Sequence, residues 1–208
     1  MYLPTLDDLP FNKRPDLSPY LIHLTKNTKR DDEYSAYDNL VSILQTRRVD
    51  ASDTKKGFIK GPNGAACFMD VPFASLKYVL TPENTNPDDP RYEPFGIIVT
   101  KEHGYKKGLR PVLHLSNDET RTLGIPRDEL WRVVRLERSQ DGWINWVHER
   151  EWRCKGSFRL PKTIHAVIVK DTRSARRLRE RIYDEREKFA CVRDAILPAS
   201  VICQGLLK

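Results

Sequence analysis

The chain has 208 residues, 39% hydrophobic and 31% charged, and its 36 Lys plus Arg against 29 Asp plus Glu leave a formal charge of +7. This length makes one large domain or two small ones with a sizeable core, and the composition excludes collagen, coiled-coil and low-complexity chains. No stretch approaches the roughly 18 consecutive apolar residues of a membrane-spanning helix, and Asp7, Asp8 and Pro10 break any apolar run at the start, so neither a signal peptide nor a membrane partner is expected and the cytoplasm is the expected compartment.

Pro4, Pro10, Pro15 and Pro19 remove backbone donors and bias the residues before them toward extended backbone, which predicts an N-terminal extended arm over residues 1–19. Residues 20–208 are expected to form a single domain. Tyr20 to Thr25 reads as a strand, and Leu40, Val41 and Leu44 give helical spacing across 37–46 behind an Asp38 cap. A turn at Gly61-Pro62-Asn63-Gly64 precedes an apolar strand over 65–69, and Asp70 ahead of Pro72 reads as the cap of a helix running to Leu80. Residues 81–94 hold four prolines without apolar periodicity and predict a long, acidic loop, a candidate lid.

Strands are then expected over 95–100 and 111–115, and a helix opens at Ile125-Pro126 with Leu130, Val133, Val134 and Leu136 facing inward. Strands over 143–153 and 163–170 follow, then a helix over 172–189 with Ala175, Leu178, Ile182 and Phe189 on one stripe, and a last strand over 201–207. Without a regular βαβα rhythm or a Gly-rich phosphate turn, the order predicts a mixed α+β domain with a central antiparallel or split sheet. Cys67, Cys154, Cys191 and Cys203 are far apart and read as free thiols, with no metal site signalled.

The densest chemistry lies in Trp143–Arg153. On a strand Glu149, Glu151 and Arg153 project one way and His148, Arg150 and Trp152 the other, which puts two carboxylates about 7 Å apart on one face. Such like charges raise each other's pKa unless a cation, a metal or a ligand hydroxyl uses them. Without that, the strand is a solvated edge. His23 and Thr25 likewise share a face, offering an imidazole and a hydroxyl, with satisfaction inside the core as the plainer alternative. Ser75 and Tyr78 lie three apart, behind a Phe68 that reads as core. A metal-dependent nuclease built on His148, Glu149 and Glu151 is disfavoured, because His148 falls on the opposite strand face.

Taken together, LIHLT, DNLVSILQTRRV, AACFMDVPFASL, RYEPFGIIVTK, GLRPVLHL and HEREWRCKG resemble the bacterial abortive-infection family of AbiGi type and related domains with an "EREWR" strand, over residues 20 to 170. The resemblance implies a setting of phage defence or a toxin–antitoxin pair. H-x-T on the first strand, the N-L-x-x-I-L helix and a late E-x-E strand are also similar to DarT-like ADP-ribosyltransferases. That second resemblance implies NAD as the substrate, with no metal, and transfer of ADP-ribose to a nucleic acid or a protein. In its pattern His23 and Thr25 seat the nicotinamide ribose, and Glu151, with Glu149 as its neighbour, polarises that ribose and helps the acceptor. The nicotinamide-stacking motif has no firm match, with Phe68, Ser75 and Tyr78 as the candidates. The alternative is a non-catalytic antitoxin or regulator that binds nucleic acid or a partner toxin. It rests on Arg173, Arg176, Arg177, Arg179 and Arg181, which face only Glu180, a local excess of four positive charges.

Overall fold

Tyr20–Leu24 (β1) sits at the centre of the sheet in a computed structural model that describes residues 14–27, 34–55, 58–86, 88, 90–140 and 142–204. Of the arm, only residues 14–19 fall within this range; the rest of that expectation lies outside the described residues. The elements that follow are α1 (Ala36–Thr46), β2 (Arg48–Val49), β3 (Ala65–Met69), β4 (Gly96–Thr100), α2 (Lys101–Lys106), β5 (Arg110–Pro111), β6 (Leu113–Leu115) and α3 (Asn117–Thr122). After them come β7 (Val133–Arg135), β8 (Glu137–Ser139), β9 (Gly142–Ile144), β10 (Glu151–Lys155), β11 (Phe158–Arg159), β12 (Thr163–Val169), α4 (Thr172–Asp184), β13 (Val192–Pro198) and α5 (Ala199–Ile202).

Seven strands pair in the order β13-β12-β4-β1-β3-β10-β5, so the domain is mixed α+β around one large sheet. Only β12 and β13 run parallel, joined by the α4 crossover, while the other neighbours are antiparallel. β1 keeps register with β4 over five residue pairs, but with β3 it pairs only at Ile22–Met69, so the sheet opens between them.

Side chains alternate across the sheet. Leu21, Ala66, Phe68, Ile97, Val99 and Val167 point to the face covered by α1 and α4, where Tyr37, Leu40, Val41, Leu44, Ala175, Leu178 and Ile182 are buried. Ile22, Leu24, Met69, Ile98, Ala166 and Ile168 point the other way, onto Leu76, Leu80, Ala199 and Cys203. Tyr37, Leu40, Val41 and Leu44 recur at helical spacing, which turns one stripe of α1 to the sheet.

Several elements depart from the sequence pattern for local reasons. The α1 cap is Ser35, whose hydroxyl accepts from Asp38 N at 3.1 Å. Residues Phe73–Tyr78 wind into a 3-10 turn behind Pro72 rather than an α-helix. Asp70 does not cap it, since its carboxylate is taken by Lys101 at 2.7 Å and Arg150 at 3.7 Å. Arg127–Arg132 is also a 3-10 turn, and Val133 and Val134 belong to β7, which pairs with β6 away from the main sheet. The helix over 172–189 ends at Asp184, which leaves Phe189 outside it. The closing strand is β13; Ala199–Ile202 is a short helix instead. Cys154, Cys191 and Cys203 are buried and Cys67 is half-buried, all as free thiols. Among the described residues no helix is long and apolar enough to cross a membrane.

Candidate active site at the start of β10

Glu151 opens β10, opposite Met69 of β3, with its side chain one-fifth exposed. Arg153, on the same strand face, grips both carboxylate oxygens, Nε to Oε1 at 2.9 Å and Nη2 to Oε2 at 3.0 Å. The guanidinium is itself anchored. Nη1 donates to Trp131 O at 2.9 Å and Nη2 to Phe58 O at 3.3 Å, and only 5% of the Arg153 side chain is exposed. A carboxylate held in this fork is fixed in direction, with lone pairs left for another donor. Cys67 lies beside the pair; burial pushes its thiol well above the ordinary cysteine range and Glu151 adds to the shift, so it is no thiolate nucleophile.

Glu149 does not share that face. Val147–Glu149 forms a 3-10 turn and Arg150 closes it in the left-handed region, φ 46°, so the strand starts two residues after Glu149. Its carboxylate binds the end of the 81–94 loop, Oε1 accepting from Arg91 Nη2 and Oε2 from the Tyr92 hydroxyl, each at 2.5 Å, with His148 Nε2 3.3 Å away. Arg91 also covers the Trp146 ring at 4.8 Å. Burial, then the bond to Glu149, raises the Tyr92 phenol above its usual range. Glu149 is thus a strap for the loop. One local signal for this turn was available: Asn145 Oδ1 accepts from Val147 N at 2.9 Å, the Asn-led turn that competes with a strand. Nothing marked Arg150 for the left-handed region, where glycine or asparagine is the usual occupant.

His23 and Glu151 are not brought together. The register runs Ile22–Met69–Glu151 in one row, while Phe68 and Trp152 pair in the next row and turn to the opposite face, where the His23 ring meets Phe68. Where the β1–β3 ladder ends, His23 Nδ1 stands 2.8 Å from Cys67 O, so a neutral ring carries its proton on Nδ1. Burial holds that ring below the usual histidine range and hence neutral at pH 7. Thr25 is buried and its hydroxyl faces two carbonyls, Ala36 O at 2.8 Å and Phe95 O at 3.1 Å, tying the end of β1 to α1 and to β4. Phe68 is core, its ring tilted against His23 at 5.4 Å and edge-on to Phe158 at 5.0 Å. Ser75 is half-buried in the 3-10 turn, and Tyr78 stands 71% exposed beside Lys77.

The α4 arginines divide. Arg177 lies over the Tyr37 ring at 4.1 Å and Arg181 pairs with Asp38 at 3.7 Å and Glu185 at 3.8 Å, so these two hold α4 to its surroundings. Arg173, Arg176 and Arg179 are exposed, and Arg193 of β13 lies near Arg179, whose charge adds to the depression that burial imposes on it. Among the described residues no group of three or more His, Cys, Asp or Glu is placed to hold a metal.

Neither a family model nor a curated protein matches the sequence. Two solved structures are similar to the chain. DarT of Thermus sp. 2.9 in complex with NAD+ is 13% identical with a TM-score of 0.46, over 86% of this chain and 94% of that one. The same DarT in complex with carba-NAD+ is 13% identical with a TM-score of 0.45, over 88% and 96%. At that identity and score the likeness carries no weight for the chemistry.

Proposed function

We propose that the chain is an ADP-ribosyltransferase-like enzyme that takes NAD as the ADP-ribose donor, with a nucleic acid or a protein as the acceptor, in phage defence or as the toxin of a toxin–antitoxin pair. The observation that carries the reading is the Glu151 carboxylate, partly open to solvent and fixed by a buried arginine at the end of a sheet strand. As the ribosyl bond breaks, positive charge builds on the sugar, and an ionised carboxylate already aimed at the ribose stabilises that state more than the ground state. Arg153 holds both oxygens of Glu151 and prevents it from turning away. His23, Thr25 and Phe68 act from the far face, fixing the strand ends on which that direction depends.

The test is nicotinamide release and label transfer from labelled NAD, with nucleic acid and lysate protein as acceptors. Wild type is expected to turn NAD over, and Glu151→Gln to lose at least about 100-fold, the scale of removing one transition-state hydrogen-bonding group. No nicotinamide and no label from wild type ends the reading.

A second reading, a non-catalytic regulator that binds nucleic acid or a partner toxin, is favoured by exposed Arg173, Arg176 and Arg179 with Arg193 beside them. Phosphate binding by such a face loses affinity steeply with salt. A gel-shift titration at two salt concentrations is expected to show that loss, which Arg176→Glu with Arg179→Glu should remove; no shift at low salt rejects it.

A further inference from the structure

Arg150 immediately precedes Glu151, and its main chain is held on both sides of the turn: its N donates to Val147 O at 3.1 Å and its O accepts from Asp70 N at 3.0 Å. The second bond carries the β3–β10 ladder one step beyond the Met69–Glu151 pair. At φ 46° the position favours glycine, yet the arginine side chain makes contacts that glycine could not. Its Nη1 donates to Asp16 O at 2.6 Å, and its Nη2 stands 3.7 Å from Asp70 Oδ2. Asp70 is buried, and the same Oδ2 takes Lys101 Nζ at 2.7 Å. The other oxygen of Asp70 is closed from solvent with no hydrogen-bond partner among the described residues, so the two cations orient the carboxylate. Lys101 opens α2 directly after β4, and its N donates at 2.8 Å to the O of Pro19, the residue ahead of β1. Arg150, Asp70 and Lys101 therefore bridge the start of β10 to β4 and β1, across the place where β1 and β3 share one residue pair. The bond to Asp16 adds a second tie, to the segment that leads into β1.

We infer that Arg150 is a positioning residue for the Glu151 carboxylate, tying the start of β10 across the sheet opening to β1 and β4. The inference rests on the transferase reading and adds to it the element that sets where Glu151 stands. Arg153 fixes the direction of the carboxylate, but its partners are Glu151, Trp131 and Phe58, none of them on β1 or β4. Arg150 supplies that missing constraint. A sugar held by any group outside β3, β10 and β5 meets Glu151 at a distance that this bridge sets, and a misplacement of about 1 Å can cost about 100-fold in rate.

Arg150→Gly keeps the left-handed turn while removing the bridge, and it should melt within about 4 °C of wild type. Its kcat for nicotinamide release is expected to fall by about 10- to 100-fold. KM for NAD should stay within about twofold, the split that marks an interaction felt in the transition state rather than in binding. Millimolar guanidinium, which can occupy the place vacated between Asp70 and Asp16, should restore a measurable part of that rate and none of the rate lost in Glu151→Gln. Arg150→Lys keeps a charge toward Asp70 without the planar fork, so it repeats the test with Asp70 still paired and should lose less than Arg150→Gly. A turn with a merely structural role predicts neither the kcat loss nor the rescue. An Arg150→Gly kcat within about threefold of an active wild type overturns the inference alone, as does a loss that guanidinium leaves untouched. A wild type that releases no nicotinamide overturns the transferase reading and this role with it.

Discussion

Arg153→Leu is expected to cost about 3–5 kcal/mol of folding free energy, the scale of removing one partner from a buried ion pair. The arginine side chain is only 5% exposed, so solvent screens little of the interaction, and leucine leaves Glu151 uncompensated and strands the carbonyls of Trp131 and Phe58. Urea denaturation of wild type, Arg153→Leu, Glu151→Gln and the double variant forms a cycle that isolates the coupling. Glu151→Gln alone should also destabilise, because a neutral amide replaces the charge that offsets a buried guanidinium. From sequence, an active-site glutamate on an open strand face would be replaceable without change in melting temperature; the fork from Arg153 makes Glu151 structural and chemical at once. An Arg153→Leu loss below about 1 kcal/mol, the range of exposed pairs, would show that the pair is solvated and that Glu151 is not held.

Gly96→Ala is expected to be still more damaging, above about 4 kcal/mol, a range reached by few single substitutions. Gly96 opens β4 opposite Leu24, and a Cβ there would lie 2.2 Å from His23 O and 3.1 Å from Leu24 Cα. Both are backbone, so no side chain can swing aside and β1 and β4 must separate. Gly124→Ala is the control. It sits at φ +62° with nothing within 4 Å of its Cβ, and left-handed strain alone costs about 1–2 kcal/mol. Equal melting temperatures for the two variants would mean that the β1–β4 contact yields more easily than its geometry implies.

Much of the architecture was legible where the apolar pattern is dense. YLIHL, AACFM and GIIVT are short apolar runs bounded by polar or turn residues, and each became a strand of the central sheet. The stripe Ala175, Leu178, Ile182 placed α4 correctly because three buried residues at helical spacing leave little choice of face. The site was legible only in part. Glu151 stands on a strand as its E-W-R-C-K run suggests, but its relation to His23 depends on register, and a shift of one residue reverses the face a side chain takes. The grouping of Glu149 with Glu151 failed at Arg150, which takes a left-handed backbone with no glycine or asparagine there to announce it.

The opening between β1 and β3 divides the central sheet into two blocks, β13-β12-β4-β1 and β3-β10-β5, that share one registered main-chain pair and the His23–Cys67 link. What fixes the angle between the blocks is therefore their side chains: Ile22 opposite Met69 on one face, Leu21 and Phe68 in the cluster buried on the other, and the Lys101–Asp70 ion pair across the opening. A substitution such as Phe68→Leu could rotate one block relative to the other while leaving every strand intact. The aim of Glu151 is then a property of the core as much as of its own strand, and sequence changes far from any carboxylate become the natural means of tuning it.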